Sequence, residues 1–114
     1  MIEAAVIRYL GSKTGISVYA ERPKELEDEF IIIERTGAGA ANQIKRATIA
    51  VQSYAGSMYR AAEINATVEA AMDEFAAEKN ISKCTLNSSY NFTDTETRKY
   101  RYQAVFDIYY MEGE

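Results

Sequence analysis

Residues 30–51 read FIIIERTGAGAANQIKRATIAV, and the fold turns on the kind of element that comes after the glycines at positions 37 and 39. A glycine loop that cradles phosphate works because a helix comes directly after it, aiming free backbone N–H groups and the positive end of its dipole at the anion. Here Ala47, Ile49 and Val51 alternate with Arg46, Thr48 and Gln52, so the next element is a strand with one wet face, from about residue 45 to 54. Asn42 also stands where a dinucleotide fingerprint needs its third small residue. Before the glycines, residues 30–35 open with four large apolar side chains and predict a central strand buried on both faces. The two strands make a hairpin. Residues 37–46 then read as its flexible tip, or as a tip that orders only against another subunit.

C-terminal to the hairpin, Met58, Ala61, Ile64, Val68, Ala71, Met72 and Phe75 recur on one helical face between about 57 and 79, with Ser57 as N-cap after Gly56. Cys84, Leu86, Ser88, Tyr90 and Phe92 then alternate with polar residues, as do Tyr100, Tyr102, Ala104, Phe106, Ile108 and Tyr110. The polar connector at 93–97 joins these two strands in a second hairpin. At the other end, Ile2, Ala5, Val6, Tyr9 and Leu10 mark a short amphipathic helix, with Gly11 and Gly15 as terminators. Residues 16–20 form an edge strand that runs into the acidic stretch ERPKELEDE, where Pro23 removes a backbone donor. The order predicts one α+β domain spanning 1–114: a mainly antiparallel or mixed sheet of about five strands, with a long helix and a short N-terminal helix packed on one face.

Composition excludes more chemistry than any motif suggests. The chain has 114 residues and no histidine, which removes the commonest general base, the commonest zinc ligand and every His-dependent triad. Its one cysteine, Cys84, cannot form an internal bridge and reads as a small buried hydrophobe rather than a reactive thiol. The acidic run Glu25, Glu27, Asp28, Glu29 lacks the alternating spacing and fixed glycine of a calcium loop and reads as a solvated loop. Neither a catalytic, a metal nor a cofactor site is expected.

A net charge of −4 argues against broad binding of nucleic acid, so proteins are the expected partners. The nine tyrosines, several in KYRYQAVFDIYY beside Arg98, Lys99 and Arg101, allow base stacking on a sheet face, but their alternation favours core. No apolar run approaches the roughly 18 residues of a membrane span. The opening MIEAAVIRYL has no basic leader and reads as no secretory signal, which makes the cytoplasm the expected compartment and the Asn-x-Ser/Thr triplets at Asn65, Asn87 and Asn91 chance.

The layout, with SVYAERPKE at 17–25, FIIIERTGAG at 30–39, KRATIAVQSYAGSMYRAAEINATVEAAM at 45–72 and KYRYQAVFDIYY at 99–110, resembles the tail terminator family of tailed bacteriophages and prophages, also called tail completion or minor tail proteins. The resemblance covers nearly the whole chain. It implies a structural protein of the virion tail, assembled in the host cytoplasm, that forms a ring, commonly hexameric. Such a ring caps the tail tube, ends its polymerisation and prepares joining to the head. The implied partners are further copies of the chain, the tail tube protein and a head-completion protein, with no cofactor and no catalysis. Carried onto this sequence, the assembly loop is Gly37, Gly39, Asn42, Gln43, Lys45 and Arg46, and its basic pair would meet Glu25, Glu27, Asp28 and Glu29 of a neighbour. A head–tail connector or neck protein is a neighbouring reading, and a small intracellular RNA- or protein-binding module is one of another class.

Overall fold

A computed structural model of the chain describes every residue except Leu26, Thr95, Thr97, Arg98, Gly113 and Glu114. The elements run α1 (Ile2–Thr14), β1 (Val18–Tyr19), β2 (Phe30–Ala41), β3 (Ile44–Ala55), α2 (Met58–Asp73), a 3₁₀ turn (Phe75–Ala77), β4 (Ile81–Asn91) and β5 (Tyr100–Tyr110). The five strands form one sheet in the order β1-β2-β3-β5-β4. Only β1 and β2 are parallel; every other pair is antiparallel. The expected α+β architecture is present, and both helices lie on one face.

The core lies between those helices and the sheet. Val6 and Leu10 from α1, with Ile64, Val68 and Met72 from α2, close over Ile31, Ile33, Ile49, Val51, Phe106 and Ile108. Burying each such side chain stabilises the fold by roughly 1.5–3 kcal/mol. Ser57 caps α2 as its side chain accepts from the Arg60 N–H at 3.1 Å. The helix ends at Asp73, earlier than the periodicity suggests, because the chain tightens into the 3₁₀ turn that seats Phe75, 1% exposed, against Tyr9. Helix α1 in turn runs through Gly11, where a helix stop was expected. It ends at Gly15, whose φ of 72° is the left-handed cap glycine adopts without strain.

The strand β2 is not central. Its outer neighbour, β1, pairs with it only at Ile31 and Ile32, so the rest of that edge is open. The FIII run is nonetheless buried on both faces, for a reason periodicity does not carry. Ile31 and Ile33 enter the main core, while Phe30 and Ile32 pack with Tyr54 and Tyr19 on the opposite face, where Phe30 and Tyr54 stack at 4.6 Å between centroids.

The shared face expected for Cys84, Leu86, Ser88, Tyr90 and Phe92 breaks at a bulge between Leu86 and Ser88. One extra residue reverses the alternation. Cys84 and Leu86 pair with the core residues Ile108 and Phe106, whereas Tyr90 pairs with Gln103 on the open face. Ser89 turns instead to the helix layer and accepts from Asn65 at 2.8 Å. Of the expected aromatic core face on β5, Phe106, Ile108 and Tyr110 are buried, and Tyr100 and Tyr102 are half-buried. Within the connector at 93–97, Asp94 bridges to Lys99, while Thr95 and Thr97 lie outside the described residues, as does Arg98.

Candidate functional site

The glycine stretch is strand, not loop. Strand β2 continues through Ala41, and only Asn42 and Gln43 turn, with φ of 51° and 68°. Two successive positive φ values define the tight hairpin turn whose twist matches the strands on either side. Asn tolerates that region; Gln does so at a cost. A bulge between Arg35 and Gly37 places Thr36 as the extra residue, after which Gly37 lies across from Thr48 and Gly39 from Arg46. A Cβ at Gly37 would come within 3.3 Å of the Thr48 hydroxyl oxygen, and one at Gly39 within 3.4 Å of the Arg46 guanidinium, so the absent side chains leave room for the facing ones.

The helix layer stops short of this corner of the sheet. Residues 38–46 are all exposed, and among the described residues no strand pairs with the outer edge of 34–41. Natural edge strands are commonly blunted by Lys, Pro or inward charge. The run Thr36-Gly37-Ala38-Gly39-Ala40-Ala41 carries none of these. Arg35, just below it, forms an ion pair with Glu3 of α1 at 3.6 Å, and Lys45 one with Glu112 at 3.5 Å.

The acidic residues expected to face this basic pair sit at the other end of β2. Strand β2 has 12 residues, so the two features stand about 40 Å apart along it at roughly 3.3 Å per residue. They cannot meet within one chain. Two of the four are already engaged. Arg60 donates to both Glu29 oxygens, from Nε at 2.6 Å and from Nη2 at 3.0 Å, and this holds the Glu29 carboxyl below the usual carboxylate range. Tyr19 donates its hydroxyl to Glu27, which lowers that carboxyl in the same way.

At the far edge, β4 leaves a groove of about 300 Å³ beside α2, rimmed by Glu69 and Asp73 and floored by Cys84, Leu86 and Phe106. Leu86 is 43% exposed there. Burial raises the Cys84 thiol to about 12, so it stays protonated and inert, in line with its reading as a small hydrophobe. No pattern in the sequence pointed to this groove, because it arises where one helix ends above one strand.

Of the basic and aromatic residues that suggested base stacking, Arg101 and Tyr109 alternate onto the open face, Tyr102, Phe106 and Tyr110 onto the core side, and Arg98 lies outside the described residues. Arg101 stacks on Phe92 at 4.3 Å from the ring centroid and also donates to the Phe92 carbonyl at 2.6 Å and the Tyr54 hydroxyl at 2.9 Å. Its guanidinium is thus engaged within the fold. Further along β5, Asn87 and Thr48 donate to Asp107 at 3.0 and 2.8 Å and lower its pKa. Among the described residues no group of three His, Cys, Asp or Glu is placed to hold a metal ion, and no helix is long and apolar enough to cross a membrane. Compared with known proteins, the chain matches no family model and no curated protein.

Proposed function

We propose that the chain is a ring-forming structural protein of a phage tail that caps the tail tube, ends its growth and readies it for the head. The observation that carries this reading is the open edge of β2, where residues 36–41 offer a row of backbone donors and acceptors flanked by side chains too small to screen them. An unguarded edge of this kind is an aggregation hazard unless assembly covers it. The resemblance to tail terminators supplies the context. Head–tail connectors would use such an edge in the same way, and the two readings part over tail length and head joining.

The test shortens the corner without touching the core. Residues 40–45 are replaced by Asn-Gly, which closes the hairpin on the Gly39–Arg46 pair. The fold should survive, and electron microscopy of lysates should show tails of uncontrolled length. Tails of normal length would overturn the reading, and normal tails that fail to join heads would favour the connector.

A further inference from the structure

The pairing registers set the two open edges of the sheet level with one another. Reading across the strands, Cys84, Ile108, Ala47 and Ala38 form one row, and Leu86, Phe106, Ile49 and Arg35 form another. The open part of β2 and the stretch of β4 between its two bulges, residues 83–86, therefore lie at the same height on opposite sides of the sheet. They also run in opposite directions, since β2, β3, β5 and β4 alternate.

From this geometry we infer that two copies join edge to edge, with residues 35–40 of one chain adding antiparallel beside residues 81–86 of β4 of the next. The pairing stops at the 86–88 bulge, where β4 bends, because the row of Tyr90, Gln103, Gln52 and Ile32 ends on Tyr19 of β1. A copy shifted sideways in register brings its Arg35 level with Leu86, over the groove rimmed by Glu69 and Asp73. A cation thus meets an acidic rim, and the stem of Arg35 covers the exposed part of Leu86. Arg35 lies on the helix side of the sheet, as its ion pair with Glu3 shows, and so does the groove. The small side chains at 37–41 let the incoming strand approach without a clash. Because the two edges are unlike, the contact is head to tail and propagates into a ring or a filament rather than a closed pair. This inference rests on the self-association and the open β2 edge of the proposed function, but not on a tail tube.

Cross-linking tests it. In a Cys84→Ala background, Gly39→Cys and Lys83→Cys proteins, whose positions share a row through Arg46 and Tyr109, are made separately and oxidised with copper–phenanthroline at high concentration, alone and mixed. The expected result is a disulfide-linked dimer in the mixture, with little from either protein alone. Homodimers from one variant alone would show like-to-like pairing and overturn the inference, as would the absence of mixed product. Charge exchange gives a second readout: Asp73→Lys should lower the cross-link yield, and adding Arg35→Glu to the other partner should restore it. Yield unaffected by either change would sink the register. Mixed cross-links with normal tails from the shortened hairpin would retain this contact and reject the tail reading. The reverse pattern would retain the tail reading and reject this contact.

Discussion

The Tyr9 hydroxyl of α1 donates to the Ala71 carbonyl in the last turn of α2 at 2.6 Å, tying the two helices together across 62 residues of chain. Tyr9 is 8% exposed, and burial raises its pKa, so the donor proton is retained at any ordinary pH. The same carbonyl also accepts from the Glu74 N–H at 3.2 Å and would not be stranded by loss of the phenol. Tyr9→Phe should therefore cost about 1 kcal/mol, a net hydrogen bond without an added desolvation penalty. Urea unfolding that shows a loss above about 3 kcal/mol would mean that the carbonyl has no second partner.

Phe75 fills the space under both helices and touches the Tyr9 ring at 4.9 Å. Phe75→Ala should cost roughly 3–5 kcal/mol, the usual penalty of a large cavity. A measured loss below about 1 kcal/mol would contradict its burial.

Cys84 should resist thiol reagents in the folded protein. With its pKa pushed up to about 12, almost no thiolate exists at pH 8. Ellman's reagent should react slowly in buffer and at once in denaturant. Rapid labelling of the folded chain would refute the burial that causes the shift.

Acid should weaken the protein through Asp107 and Glu29. Hydrogen bonds hold both folded carboxyls below their ordinary values of 3.8 and 4.5. The stabilisation is fully present above those ordinary values and is lost as pH falls through the lower folded ones. Unfolding midpoints measured from about pH 6 downward should fall below about pH 4.5. The double variant Asp107→Asn, Glu29→Gln should show a shallower fall, and an unchanged slope would exclude both groups as its source.

Gln43 holds a positive φ that glycine adopts freely. Gln43→Gly creates the Asn-Gly pair favoured in such turns and should stabilise the hairpin by roughly 0.5–1 kcal/mol. A thermal melt showing destabilisation would argue that the Gln43 side chain contributes to the turn.

The fold was legible where side-chain type alternates strongly. The face of α2 from Ala61 to Met72, its Ser57 cap and the alternation of β3 and β5 follow from burial periods that composition states openly, although Met58, expected on that face, is exposed. The bulges at 35–37 and 86–88 were not legible, since one inserted residue changes which face each side chain takes without changing which residues are present. Glycine and alanine at 37–41 have little preference for strand, so only pairing with β3 makes them one. The candidate site was half visible. The sequence pointed to the small-residue stretch but assigned it mobility, and it paired Lys45 and Arg46 with carboxylates that Arg60 and Tyr19 partly occupy. The Glu69–Asp73 groove depends on where α2 stops above β4, a tertiary fact.

Strand β1 is only two residues long, yet its position makes it a ruler. It covers β2 at Ile31 and Ile32 and nowhere else. A strand arriving at the open edge meets TGAGAA, a run with no pattern of large and small side chains to fix where it should halt, and would otherwise be free to slide. Tyr19, beside Ile32, would stop that slide at the lower end, a steric limit that acts together with the charge contact at Arg35.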